Sequence, residues 1–152
     1  MKQNSYSRTI HVTAPLSAAH AALTTGFRKW WTSDAGMIEK VGDVAKFGFT
    51  GKMGFWSFKA IVLEPNHVEL ECVEALHIHE GKPKEIETEW LGTRALWELK
   101  EAEGGTEIHF EHQGLTPDLL CYDICEAGWD MFFVDSLKAY LDTGTGKPFA
   151  GD

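Results

Sequence analysis

The chain has 152 residues, 43% of them hydrophobic, and a formal net charge of −9. This length is enough for one domain with a sizeable core, and the acidic balance argues against nucleic-acid and anionic-membrane partners, which attract clustered Lys and Arg. Three cysteines are too few for a disulfide framework, and no apolar run is long enough for a secretory signal or membrane insertion, so we expect a cytoplasmic protein.

One strand and two short helices are predicted at the start of the chain. Residues 7–13 alternate between polar and apolar side chains, as a strand does. The Ala-rich segment 15–23 opens with proline, which suits a first helical turn. Phe27, Trp30 and Trp31 predict a second short helix.

The middle of the chain reads as a series of hairpin-linked strands. Turn signals at residues 65–66 and 103–105 separate the alternating runs, and residues 80–84 are expected to form a solvated loop. The glutamates of segment 85–89 are expected on a solvated strand face. The inward-facing residues, strand by strand, are Ala45, Phe47 and Phe49; Trp56, Phe58, Ala60 and Val62; Val68, Leu70 and Cys72; Ile86, Thr88 and Trp90; Ala95, Trp97 and Leu99; and Ile108, Phe110 and His112.

A long amphipathic helix is predicted at the end of the chain. Thr116-Pro117-Asp118 marks its start, and Gly144 is expected to be its left-handed C-terminal cap. At about 100° per residue, one wide aromatic face needs a concave surface to cover it. The residues of this face are Tyr122, Cys125, Trp129, Phe132, Phe133, Ser136, Leu137 and Tyr140.

This order of elements predicts an α+β fold. Hairpin connections make the sheet antiparallel, and the alternation indicates that one face of the sheet packs on a helix. We therefore predict a curved antiparallel β-sheet wrapped around the long C-terminal helix, with two short helices after the first strand.

Four stretches, spread over nearly the whole chain, carry a family resemblance. They are residues 27–31, residues 89–93, residues 105–115, and residues 125–129 together with 136–141 and 144–148. They resemble the START-like (SRPBCC, helix-grip) superfamily, and within it the subgroup named after the activator of the heat-shock chaperone ATPase. The resemblance implies a single START-like domain over residues 1–152. The superfamily includes carriers, hormone receptors, cyclases and hydrolase-like members, so the fold alone does not fix the function.

The inward aromatic side chains together predict a pocket for a small apolar or aromatic ligand, although each of them alone is better explained by core packing. We expect no cofactor and no catalytic residue. The expected ligand-binding residues are Trp30, Trp31, Phe47, Phe58, Trp90, Trp97, Phe110, His112, Tyr122, Trp129, Phe133 and Ser136.

Two polar residues on these faces are open to different interpretations. His112 either contacts a ligand or transfers a proton, or it is a structural histidine bonded to the backbone. Glu126 either is buried with a partner such as Arg94 or, as we favour, lies in water at the edge of the apolar stripe.

Two pairs of residues have a spacing that metals can use. His77 and His79 share one strand face, and Cys121 and Cys125 share one helix face. Neither pair has further ligands near it in the sequence, so we expect no metal site and read the cysteines as buried thiols.

Three functions remain open. The leading one is non-catalytic binding of a small apolar ligand in the sheet–helix cavity. The alternatives are an interaction module whose partner is a chaperone or other protein, and an enzyme acting on a hydrophobic molecule with His112 as acid or base. A cavity above a few hundred Å³ would favour the first and the last, and a perturbed His112 pKa would favour the enzyme.

Overall fold

Seven β-strands form one antiparallel sheet in the computed structural model, which describes residues 4–49 and 53–150. The strand order is β1-β7-β6-β5-β4-β3-β2. The strands are β1 (Tyr6–Val12), β2 (Asp34–Ala35), β3 (Val44–Gly48), β4 (Gly54–Glu64), β5 (His67–His77), β6 (Arg94–Ala102) and β7 (Gly105–Gln113).

Short helical elements follow β1 and β5 in the sequence, and one long helix follows β7. Helix α1 (Leu16–Ala22) follows β1, as predicted. The predicted second short helix is a 3₁₀ turn (Phe27–Lys29) that ends before Trp30 and Trp31, and another 3₁₀ turn (Lys84–Thr88) lies between β5 and β6. The C-terminal helix α2 has 22 residues in three segments. They are Tyr122–Trp129, the π-helical Asp130–Leu137, and Lys138–Thr143.

The sheet curls around α2 as a half-barrel, which confirms the predicted helix-grip fold. Register shifts between Ser57 and Phe58, and between Ala60 and Val62, interrupt the pairing of β4 with β5. Such bulges bend a strand and increase its twist, which helps a sheet to wrap. The predicted cap is also confirmed, because Gly144 has a φ of 89° and its N–H donates to the Tyr140 carbonyl at 2.8 Å.

One predicted strand and the predicted start of α2 are wrong. The segment with Ile86, Thr88 and Trp90 is a 3₁₀ turn and loop instead of a strand. Pro83 precedes the turn, and the two buried residues, Ile86 and Trp90, are four apart, which is a helical spacing. Helix α2 begins at Tyr122, after a series of turns, and not at residues 116–118. The two-residue edge strand β2 was not predicted.

Aromatic rings fill most of the space between the sheet and α2. Trp97 stacks on Phe110 with ring centroids 4.9 Å apart, and Phe110 packs against Phe133 of α2 at 5.0 Å. Within the described residues, no helix is long and apolar enough to cross a membrane.

Candidate functional site

A cavity of about 100 Å³ remains between the first half of α2 and the neighbouring part of the sheet. Its walls are mostly apolar, and four of the six tryptophans of the chain contribute to them. The lining residues are Trp31, Phe49, Met53, Trp56, His77, Trp90, Ile124, Cys125, Gly128, Trp129 and Phe132.

The tryptophans support one another as the walls of this cavity. Trp90 and Trp129 are parallel to within 2°, with centroids 5.9 Å apart. Trp56 lies 4.8 Å from Trp90, and Trp31 lies 4.8 Å from Trp129. Because each ring is held by another ring, the walls form a preorganised apolar surface.

Gly128 keeps part of this space open from the helix side. A Cβ atom built at Gly128 would meet no atom of the described residues within 4 Å. Glycine in a helix is less stable than alanine by about 1 kcal/mol, and nothing in the packing requires glycine here. Gly128 lines the cavity, and a lone glycine in the predicted helix was the sequence signal that could have pointed to it.

Three buried polar atoms without a partner belong to residues that line the cavity. They are the indole nitrogens of Trp56 and Trp90 and Nδ1 of His77, none of which has a hydrogen-bond partner in the described part of the chain. Buried polar groups are nearly always paired, so each exception requires an explanation. A ligand with a hydrogen-bond acceptor would provide one for the two indole donors.

His112 is fully buried and lies outside the cavity lining. The Trp129 indole donates to Nδ1 at 3.0 Å, and Nε2 lies 2.8 Å from the Thr93 hydroxyl. An indole N–H is only a donor, so Nδ1 is the acceptor and Nε2 carries the proton. The Thr93 hydroxyl then donates to the Trp90 carbonyl at 2.6 Å. Both ring nitrogens are occupied, and desolvation lowers the His112 pKa to about 3.

Only three of the twelve predicted ligand-binding residues line the cavity, namely Trp31, Trp90 and Trp129. Ser136 instead joins three segments, because its hydroxyl donates to the Trp30 carbonyl and accepts from the Lys147 N–H, both at 2.7 Å. The predicted residues outside the lining are Trp30, Phe47, Phe58, Trp97, Phe110, His112, Tyr122, Phe133 and Ser136.

Glu126 belongs to a polar cluster on the β1 side of α2. Its carboxylate accepts from Arg8 and from the Tyr122 hydroxyl, each at 3.3 Å. Asp130 accepts from the Tyr6 hydroxyl at 2.6 Å and from Arg8 at 3.0 Å. Glu126 is thus half-buried and paired with Arg8. Arg94, the partner named for the alternative that we did not favour, is paired with Glu69 instead. Tyr122 is drawn into this cluster and away from the cavity.

The two predicted metal-spaced pairs contribute to one cluster at the edge of the cavity. His77, at the end of β5, lies with Cys121 and Cys125 at the start of α2, and their ligand atoms are all within 4.8 Å of one another. His79 is exposed, and its Nδ1 is 3.0 Å from the Glu80 carbonyl. Sequence reasoning missed this grouping because the residues come from separate elements.

The two thiols of this cluster differ in acidity. The neighbouring Cys125 thiol lowers the pKa of Cys121, although burial acts in the opposite direction. The same interaction, with desolvation, raises the pKa of Cys125. The Trp90 indole N–H lies near both sulfurs but makes no hydrogen bond to them.

Glu89 holds the start of α2 in place. Its carboxylate accepts from the backbone N–H groups of Leu120 and Cys121 at 2.8 and 2.9 Å. A carboxylate at a helix N-terminus satisfies free amides and interacts well with the helix dipole. The side chain predicted to lie on a solvated strand face therefore connects the loop carrying Trp90 to the helix carrying Cys125.

The sequence comparison identifies the family. Residues 13–142 match the family described as "Activator of Hsp90 ATPase homolog 1-like protein". The chain belongs to this family, within the START-like, SRPBCC superfamily. No curated protein matches the chain.

Solved structures share the fold. The Aha1 dimer from Colwellia psychrerythraea matches with a TM-score of 0.74 and 29% identity over 93% of this chain and 98% of that chain. DynU16, from the dynemicin biosynthetic locus, matches with a TM-score of 0.69 and 16% identity over 98% of this chain and 51% of that chain. CalU16 from Micromonospora echinospora matches with a TM-score of 0.60 and 19% identity over 93% and 75%. The last two similarities concern the fold alone.

Proposed function

We propose that this protein binds a small, mostly apolar molecule in the cavity between α2 and the sheet, without catalysing a reaction on it. The observation that carries the proposal is Gly128, which keeps open a space that a more stable helix residue would narrow. The apolar tryptophan walls around this space support the same conclusion, since ligand sites combine apolar walls with a few polar groups.

The size and chemistry of the cavity limit the ligand. An apolar cavity of roughly 150 Å³ takes up benzene, so a partly open cavity of about 100 Å³ suits part of one ring or the end of a short chain, with the rest of the ligand outside it. The unpaired indole N–H groups of Trp56 and Trp90 favour a ligand with one acceptor oxygen. The described lining residues include no Asp, Glu, Lys or Arg, so the cavity does not call for a charged ligand.

The position of His112 argues against the enzyme alternative, in which this residue was the acid or base. A general acid or base must reach the proton that it transfers, whereas both nitrogens of His112 are occupied by Trp129 and Thr93. Its lowered pKa follows from burial and not from a charged partner.

At about 100 Å³ the cavity is below the few hundred Å³ that would favour ligand binding over an interaction module, and below the roughly 300–1,000 Å³ of drug-sized sites. The interaction-module function is therefore kept as the second candidate. Family membership and the dimeric state in the name of the Colwellia psychrerythraea protein support it. Two results together would favour this candidate over ligand binding. The purified protein would stimulate an Hsp90-type ATPase, and its tryptophan NMR resonances would not change when small ligands are added.

Indole N–H resonances in ¹H–¹⁵N NMR spectra test the proposal, with benzyl alcohol and toluene as probes. We expect shifts for the four tryptophans of the cavity wall, with Trp30 and Trp97 as internal controls that do not shift. Benzyl alcohol should bind more tightly than toluene because its oxygen can accept from an indole.

A matched pair of variants links the shifts to the cavity. Gly128→Leu should abolish binding of both probes by filling the space. Ala127→Leu adds the same side chain one position earlier, at an exposed site, and should bind as the wild type does. Absence of shifts in the wild type, or equal binding by both variants, would refute the proposal.

A further inference from the structure

We propose that His77, Cys121 and Cys125 bind one Zn²⁺ ion, with a fourth coordination position facing the cavity. This replaces the sequence-based expectation that neither metal-spaced pair forms a site. The proposal does not rest on the binding of an apolar ligand, because metal binding is measured without one.

The distances suit a single ion. The three ligand atoms lie within 4.8 Å of one another. A tetrahedral Zn²⁺ with bonds of about 2.0–2.3 Å holds its ligands roughly 3.5–3.8 Å apart. Side-chain movements of about 1 Å would therefore close the site, without a change in the backbone.

The surroundings of the three residues prepare the site. All three side chains are buried, and His77 Nδ1 has no hydrogen-bond partner among residues 4–49 and 53–150. His77 is anchored by the end of β5, and the two carboxylate bonds of Glu89 fix the backbone at Cys121. Ligands on fixed elements bind a metal with little ordering of the chain.

The donor set selects the class of metal. Two sulfurs and one imidazole suit borderline and soft ions such as Zn²⁺, whereas Mg²⁺ and Ca²⁺ prefer oxygen ligands. Each sulfur binds Zn²⁺ as a thiolate, so the proton of any thiol that is still protonated passes to solvent as its Zn–S bond forms. No oxidant or reductant takes part.

The fourth position distinguishes this site from a closed structural one. His77 and Cys125 both line the cavity, which provides room for a water molecule or for the donor atom of a small molecule. Three protein ligands with one open position are typical of zinc sites that bind an exogenous ligand, whereas structural sites have four protein ligands.

Titration of the reduced, metal-free protein with Co²⁺ tests the site, since Co²⁺ bound to thiolates absorbs by charge transfer. We expect one equivalent of Co²⁺ to bind with tetrahedral d–d bands and one equivalent of Zn²⁺ to displace it. X-ray absorption of the Zn²⁺-loaded wild type should show two sulfur neighbours at about 2.3 Å and lighter neighbours at about 2.0–2.1 Å. This spectrum requires no variant to fold.

Variants assign the ligands. His77→Ala, Cys121→Ser and Cys125→Ser should each weaken Zn²⁺ binding by more than about 100-fold, beyond the effect of removing an outer-shell partner. Cys72→Ser, at the third buried cysteine, and His79→Ala, at the exposed neighbour, are the matched controls and should bind normally. Circular dichroism confirms that each variant is folded.

Three outcomes would overturn the proposal. The first is a wild-type spectrum without thiolate-to-cobalt charge transfer or sulfur neighbours. The second is tight binding of Cu⁺ with no binding of Zn²⁺ or Co²⁺. The third is loss of Zn²⁺ binding in His79→Ala, because that result would mean that His79 occupies the fourth position as a protein ligand.

Discussion

Burial of His112 couples the stability of the protein to pH. In the folded state desolvation lowers its pKa to about 3, whereas an unfolded chain has the ordinary value of about 6.5. A lowered pKa in the folded state means that the unfolded state binds more protons between these values. The stability linked to His112 is therefore fully present above pH 6.5 and is lost as the pH falls towards 3.

We predict that His112 alone makes the wild type about 3 kcal/mol less stable at pH 4.5 than at pH 7.5, at about 1.4 kcal/mol per pH unit between the two pKa values. Urea unfolding of the wild type and of His112→Gln at both pH values isolates this effect from other titrating groups. The stability gap between the two proteins should shrink at pH 4.5. Parallel losses in both proteins would show that His112 does not take up the proton.

Replacing Gly128 should raise the stability of the protein, whereas protonation of His112 lowers it. Gly128→Ala should stabilise the protein by about 0.5–1 kcal/mol, because alanine favours the helix and its Cβ meets no described atom within 4 Å. Chemical denaturation of the unliganded protein measures this gain. A destabilised variant would mean that the helix backbone needs glycine for its own geometry, and the cavity would lose its main marker.

At the scale of elements, the start of α2 depends on a side chain from a distant loop. Glu89→Ala removes the acceptor for the amides of Leu120 and Cys121 and should cost about 1–2 kcal/mol, as the loss of a helix cap does. Hydrogen exchange of the Leu120 and Cys121 amides should become faster, and the lost protection, expressed as a free energy, should be roughly the same. Glu85→Ala, at an exposed position in the same loop, is the control and should change neither. Equal effects of both substitutions would indicate a general charge effect.

The elements that were predicted correctly are those with a long, regular pattern. Five alternating runs became β3 to β7, and the apolar spacing around Trp129 became the buried face of α2. The errors lie where a short pattern fits two periods. Ile86 and Trp90 satisfy both alternation and a helical turn, and tertiary contacts of Trp90 and Glu89 decide between them.

For the whole molecule, the sequence identified an aromatic interior but not the position of its cavity. Trp97 packs between Phe27 and Phe110, and Phe110 in turn packs on Phe133 of α2. The remaining volume depends on how the helix sits in the sheet, which no local pattern encodes. The grouping of His77 with the two thiols has the same tertiary origin.

Trp129 joins all parts of this interior, and its removal should therefore affect global stability. Its ring contacts Trp31 just before β2, Trp90 in the β5–β6 loop and Phe110 in β7, with centroids 4.5–5.9 Å away. Its indole also donates to the buried His112.

Trp129→Ala should cost about 3–5 kcal/mol, because it leaves a cavity and an unpaired imidazole nitrogen. Trp129→Phe retains most ring contacts and loses only the hydrogen bond, so it should fall between the alanine variant and the wild type. Met131→Ala, on the exposed side of the same helix, should stay within about 0.5 kcal/mol. A loss below about 1 kcal/mol for Trp129→Ala in denaturant melts would show that the interior does not depend on this ring.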